Sequence, residues 1–286
     1  MIKTKTIFAA LAVVGALLAV PAFAAEAESG GDHAVEIEKQ NWTFGGIFGT
    51  YDEHQLQRGF QVFREVCSNC HSARLLAFRN LSEEGGPGFS EEQVKALAAE
   101  YQIADPTAEG GRRPGVAADT WPSPFASEQE ARDANGGALP PDFSVLAKAR
   151  GVTDPFPFWV FNYFTAYQEG GVDYIYNLLT GYHEQPPEGV ELTPGRHYNE
   201  VYPSHQIAMA PPLQDGLVDY VEGEEGVSVP ETLDQYARDV SAFLMWVAEP
   251  HLVSRKEAGF RVLLFLVLFA GLMWATKNRI WKGIEH

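Results

Sequence analysis

The chain has 286 residues, of which 45% are hydrophobic and 21% charged, and it has only two cysteines. That is enough apolar material for one large core or two small ones, and two cysteines exclude a disulfide scaffold. Lys and Arg number 21 against 38 Asp and Glu, so the chain carries −17 and lacks the basic face that nucleic acid requires.

Residues 1–24 read as a cleaved export signal. Lys3 and Lys5 form a positive start, Ile7 to Val20 an apolar run, and Ala22-Phe23-Ala24 a small-x-small cleavage site. Residues 25–257 then form the exported body, which opens on a polar lead-in over residues 25–40. A helix is expected from Asp52, where Asp52-x-x-Gln55 has the pattern of a capping box and Leu56, Phe60, Phe63 and Cys67 share a face. Ser90-Glu91-Glu92-Gln93 opens a second helix, expected to run through Tyr101. Residues 105–137, rich in Gly, Pro, Asp and Ala, read mainly as loop.

Pro140-Pro141-Asp142 is expected to cap a short helix from Phe143 to Arg150, closed by Gly151. After an aromatic-rich stretch at 152–171, a further helix is expected over 172–181. Residues 183–231 read as loop. The last helix of the body spans Thr232 to Glu249, with Leu233, Tyr236, Val240, Phe243, Leu244 and Val247 as its apolar stripe and Pro250 as its stop. Strand signals are sparse. The expected body is mainly α with long irregular loops, and such loops within one domain need something large to wrap around.

Residues 258–276 read as a transmembrane anchor and 277–286 as a short cytoplasmic tail. The uncharged core, Val262 to Thr276, is short for a ~30 Å hydrocarbon layer, but Gly259 and Phe260 extend it and Arg261 can snorkel. Lys277, Arg279 and Lys282 follow it, so the positive-inside rule places the C-terminus in the cytoplasm and the body outside. The two ends therefore give one topology. Residues 25–257 then hold 15 basic and 37 acidic residues, net −22. Such a field suits solubility, and it also steers a cationic partner.

The chemistry sits at Cys67-Ser68-Asn69-Cys70-His71. Cys-x-x-Cys-His is the attachment motif of a covalent haem c: two thiols bond the porphyrin and the adjacent histidine reaches the iron. A thioredoxin-like pair would want a strand-to-helix setting. A zinc site would need two more ligands at short spacing, and no other cysteine exists. For a sixth ligand, Met1 leaves with the signal, Met273 lies in the anchor and Met245 in a regular helix, which leaves Met209 in a proline-flanked loop. His183, His197 and His205 are the alternatives.

The chain resembles the cytochrome c1 family, the haem subunits of the cytochrome bc1 complex. The resemblance rests on Arg58-Gly59-Phe60-Gln61-Val62-Phe63, on Val66 through Ser72, and on Gly137-Ala138-Leu139-Pro140-Pro141-Asp142 with Ala149-Arg150. Asp173 through Tyr182, Ile207-Ala208-Met209-Ala210-Pro211-Pro212 and Asp239 through Trp246 complete it, followed by Ala248-Glu249-Pro250 and one anchor. It covers nearly all of the mature chain. It implies a class I cytochrome c-like haem domain with loop insertions and one C-terminal transmembrane helix.

For the site, the resemblance implies Cys67 and Cys70 as haem attachment points and His71 and Met209 as axial iron ligands. Arg150 is implied near a haem propionate, with Tyr174 and Pro141 lining the pocket. It also implies a role without catalysis of its own. Single electrons pass from a Rieske iron–sulfur protein to a cytochrome c, beside cytochrome b, in a dimeric complex of the bacterial inner membrane. Two other functions fit the haem motif: a stand-alone anchored cytochrome feeding another oxidase, and a haem enzyme with a labile sixth ligand.

Overall fold

Two α-helices that cross at a glycine form the centre of the folded body. The computed structural model describes residues 37–150, 157–165, 167–220 and 228–283. The export signal, Gly151 and the 222–225 acidic cluster lie outside them. In chain order the helices are α1 (Glu53–Glu65), α2 (Glu91–Ala99), α3 (Glu128–Ala134), α4 (Leu146–Ala149), α5 (Phe158–Thr165), α6 (Gly170–Thr180), α7 (Leu233–Ala248) and α8 (Leu252–Trp281). Two small antiparallel pairs join them: β1 (Gln102–Ala104) with β2 (Arg112–Pro114), and β3 (His197–Tyr198) with β4 (Gln206–Ile207). The fold is mainly helical.

Helix α1 starts where Asp52 accepts from the Gln55 backbone N–H at 2.7 Å. The Gln55 side chain turns away from a reciprocal cap and donates to Asp239 on α7. Leu56, Phe60, Val62 and Phe63 are buried. At the crossing, a Cβ on Gly59 would lie 2.1 Å from the Asp239 carbonyl oxygen and 2.7 Å from the Phe243 Cβ, so only glycine allows this approach. Beside it the buried Asp239 carboxylate accepts from Arg58 Nε at 2.8 Å, Gln235 Nε2 at 2.9 Å and the Tyr220 hydroxyl at 2.9 Å. A charge taken out of water needs this full set of partners.

Helix α7 is buried well beyond its apolar stripe: Ala237, Asp239, Ser241, Ala242, Met245 and Trp246 are enclosed too. Met245 is therefore a packing residue of the core. Trp121 gathers Phe60, Phe63, Phe78 and Tyr101, with ring centroids 4.9 to 5.8 Å away. The buried Asp173 carboxylate on α6 accepts from Trp42 Nε1 at 2.7 Å, the Tyr167 hydroxyl at 2.6 Å and the Gln40 N–H at 3.0 Å, fixing the chain's entry into the domain.

Several expected boundaries change. Helix α2 keeps its reciprocal Ser90–Gln93 cap but ends at Ala99, and Tyr101 turns its ring into the Trp121 cluster. The 105–137 stretch contains strand β2 and helix α3; Ser127 caps α3 by accepting from the Glu130 N–H, a Ser-x-x-Glu signal within a glycine-rich context. The short helix after Pro141 is only Leu146–Ala149, because Asp142 is engaged elsewhere. The 152–171 stretch contains α5, and α8 is longer than the 258–276 run, beginning at Leu252 one turn after α7 ends.

Candidate haem site

Helix α1 delivers the motif. Val66 closes it, and Cys67–Asn69 continue as one 3-10 turn in which the Cys67 carbonyl accepts from Cys70 N–H at 3.2 Å and His71 N–H at 2.9 Å. Ser68 Oγ and Asn69 Nδ2 donate back to the Arg64 and Glu65 carbonyls at 2.8 Å, so the turn is fastened to the helix end. Both thiols are free, Cys70 exposed and Cys67 partly buried. Burial pushes the Cys67 thiol up to about 12, with Cys70 adding to it, and such a thiol is not a poised redox nucleophile. A helix running into the motif is also not the setting of a thioredoxin-like pair. Among the described residues no group of three or more His, Cys, Asp or Glu side chains could hold a metal ion, which leaves a zinc site without ligands.

His71 is buried and its orientation is fixed. The ring stacks on Phe143 with centroids 4.1 Å apart, and Nδ1 lies 2.8 Å from the Pro141 carbonyl oxygen. A carbonyl only accepts, so Nδ1 carries the proton and Nε2 keeps the lone pair that a metal could use. Burial lowers the imidazole's pKa against the opposing pulls of the Pro141 carbonyl and Asp142, which favours the neutral ring a metal ligand must be.

Residues 71–75 and 141–144 are laced together around this ring. Phe143 N–H donates to the Ser72 carbonyl at 2.7 Å and Leu75 N–H to Ser144 Oγ at 2.9 Å. Asp142 accepts from Ser72 Oγ at 2.7 Å, Arg74 N–H at 3.0 Å and Ser144 N–H at 2.9 Å. Burial would raise this carboxyl, but the hydrogen bonds from Ser144, Arg74 and Ser72 outweigh it and hold the pKa at about 2.

Met209 lies two residues past β4, partly buried. Its carbonyl accepts from the Tyr182 hydroxyl at 3.1 Å, Tyr182 pairs with Asn199, and buried Asn199 donates to the Leu178 carbonyl of α6 at 2.8 Å. The loop is thus moored to the C-terminal end of α6. The same helix meets α4 at Gly171, where a Cβ would lie 1.8 Å from the Ala147 carbonyl oxygen. One continuous path of packed backbone therefore joins the His71 clamp to the Met209 loop.

Of the alternative histidines, His183 pairs with Glu200 at 2.9 Å in an exposed position, and His205 lies 3.3 Å from the Asn199 carbonyl and stacks on Tyr198. His197 belongs to β3. Arg150 is exposed at the C-terminal cap of α4. Burial raises the Tyr174 phenol while Arg150 pulls it down, so these two side chains sit within reach of each other's charge. Pro141 contributes its carbonyl to His71, a role that residue type does not reveal. Tyr182, Asn199 and Phe143 went unread in the sequence because their roles are hydrogen bonds to main chain and one ring stack across long separations.

Two free thiols on one turn, a buried neutral imidazole beside them and a moored thioether loop form a donor set that fits haem c. Residues 42–284 match the cytochrome c1 family.

This chain belongs to the cytochrome c1 family.

It is 47% identical to cytochrome c1 of Blastochloris viridis over 283 residues, covering 97% of this chain and 96% of that one. It is 42% identical to cytochrome c1 of Rhodospirillum rubrum, over 99% of this chain and all of that one. A cytochrome b/c1 of Bradyrhizobium diazoefficiens is 47% identical over 95% of this chain, which covers 39% of that longer protein. The family supplies the haem-bearing redox subunit of the cytochrome bc1 complex. The chain's role is accordingly electron transfer through covalent haem c, without catalysis of its own, and among the described residues α8 is the one helix long and apolar enough to anchor it in a membrane.

Proposed function

We propose that this chain carries single electrons from a Rieske iron–sulfur protein to a cytochrome c, with His71 and Met209 as the axial iron ligands. The observation that carries the reading is the clamp on His71, which presents a neutral imidazole in one orientation directly after two free thiols. Bound haem supplies the one-electron couple. The protein's own part would be to hold the iron through Nε2 of His71 and the Met209 thioether and to keep water away from it. Methionine ligation suits a potential high enough to accept from a Rieske centre. Arg150, whose charge reaches Tyr174, would pair with a haem propionate, where a charge-assisted bond stabilises a partly buried carboxylate.

Cytochrome b and the Rieske protein are the proposed partners within a dimeric complex. The Bradyrhizobium relative, whose name joins cytochrome b and c1, supports the first. The basic residues after the apolar run support a haem domain on the periplasmic side of the inner membrane and a cytoplasmic C-terminus. A redox titration with reduced-minus-oxidised spectra on the purified membrane complex tests the assignment. The expected result is one haem c of high potential that co-purifies with a b-type cytochrome and an iron–sulfur protein. Rapid carbon monoxide binding by the reduced protein would instead mean an open sixth position. Purification without those subunits would mean a stand-alone cytochrome.

A further inference from the structure

The loop 43–50 has no part in the haem site, yet it is built to hold two large apolar side chains in the open. Its ends are closed by Thr50 N–H donating to the Thr43 carbonyl at 3.1 Å. Its base, Phe44, is buried against Trp42 and Tyr51, with ring centroids 5.4 and 5.0 Å away. Lys256 of α8 fastens it from outside by donating to the Phe44 carbonyl at 2.5 Å. From this fixed base the tip presents Ile47, 47% exposed, and Phe48, 76% exposed. A rigid apolar tip in water gains nothing for the fold.

Its position names the occupant. The Phe48 ring sits edge-on to Phe260 of α8, with centroids 5.5 Å apart, so the two lie at the same depth. The apolar run of α8 from Phe260 to Thr276 is ~24 Å long at ~1.5 Å per residue, and with Arg261 snorkelling up and Lys277 snorkelling down it crosses the hydrocarbon layer. Phe260 therefore marks the upper edge of that layer, and Phe48 stands beside it. Between the loop and the helix runs a groove of about 270 Å³ whose lining includes Ile47, Phe48, Val253 and Phe260, together with Lys256 and Arg261. Apolar side chains at the acyl boundary, with Lys256 one turn above Phe260 and Arg261 able to snorkel up to the headgroups, form an interfacial anchor.

We infer that Ile47 and Phe48 insert into the phospholipid leaflet on the haem-domain side, giving the domain a second membrane contact that sets its tilt on the single helix. The inference rests on α8 crossing the bilayer, so its test reads that separately. The native cysteines are bonded to haem, so Phe48→Cys adds one labelling site for a nitroxide. The haem-loaded full chain and the intact complex are each placed, reduced, in phosphatidylcholine–phosphatidylglycerol vesicles. Collisional broadening by oxygen is compared with that by a water-soluble nickel chelate. At Phe48→Cys, oxygen is expected to dominate as strongly as at Phe260→Cys, with the reverse at Glu84→Cys on an exposed loop. Ile47→Cys should repeat the result if the first variant folds poorly. Chelate access at both tip positions, with Leu268→Cys in the acyl region, would overturn the insertion. A tip that neither reagent reaches in the complex would overturn it too, because another subunit would then cover it. Chelate access at Leu268→Cys in the isolated chain would instead remove the anchor on which the inference depends.

Discussion

His71 shows how little freedom a side chain keeps when several weak contacts converge on it. The Phe143 stack sets the plane of its ring, and the Pro141 carbonyl sets its tautomer. Met209 has no such direct partner for its sulfur; its backbone is held through the Tyr182 hydroxyl. Met209→Leu should therefore retain covalent haem but lose its high potential, as read by spectrum and redox titration; an unchanged potential would remove Met209 from the iron. Tyr182→Phe removes one hydrogen bond, about 1 kcal/mol, and should loosen the methionine loop without preventing haem attachment. Its expected signature is a fall in the temperature at which the proposed Met209 ligation is lost, while the Cys67 and Cys70 thioethers persist. Either cysteine changed to alanine should abolish doubly linked haem and lower accumulation, which pyridine haemochrome spectra and membrane protein levels would show.

Between elements, stability concentrates where helices approach most closely. Gly59 lets α1 lie against the Asp239 backbone, and an added methyl there would meet a carbonyl oxygen that cannot yield without moving α7. Gly59→Ala should cost about 1–3 kcal/mol in chemical unfolding. Asp239→Ala should cost about 3–5 kcal/mol, because Arg58 would remain partly buried without its counter-charge. The clamp between residues 71–75 and 141–144 adds a pH dependence. The Asp142 carboxyl is depressed from 3.8 to about 2 in the folded protein, so its stabilisation is complete above the unfolded value and declines as pH falls through about 2. Unfolding midpoints measured between pH 5 and 2 should fall in the native chain and less so in Asp142→Asn. Equal slopes would remove Asp142 from the acid response.

At the scale of the whole molecule the dominant physical fact is charge. Residues 25–257 carry 37 acidic against 15 basic residues. Exposed charges act over roughly 8 Å at physiological ionic strength, so their main effect is on encounter. Electron transfer to a basic cytochrome c should slow as salt rises, through the association rate; a rate flat across ionic strength would assign the charge to solubility alone. Neutralising Glu224 and Glu225 together probes one acidic cluster as the source. A salt-dependent rate untouched by that change would keep the steering and discard the patch.

Local chemistry determined much of this protein from sequence alone. Capping residues at Asp52, Ser90 and Thr232, the apolar stripe of α7 and the unbroken run in α8 act over a few neighbouring residues, so they are legible without a fold. The two thiols and the histidine of the haem motif are equally local, since adjacent residues must reach one porphyrin. What the sequence could not settle depended on partners far along the chain. Asp142 looked like a helix cap, but Ser72 and Arg74, 70 and 68 residues away, claim its carboxylate. Pro141 acts through a carbonyl that every residue possesses, and Tyr182 and Asn199 take meaning only from the backbone they reach. The loop carrying Ile47 and Phe48 has no motif to mark it, and only tertiary structure sets it beside Phe260. Sequence records which groups are present, whereas long-range packing decides which of their hydrogen bonds and contacts are made.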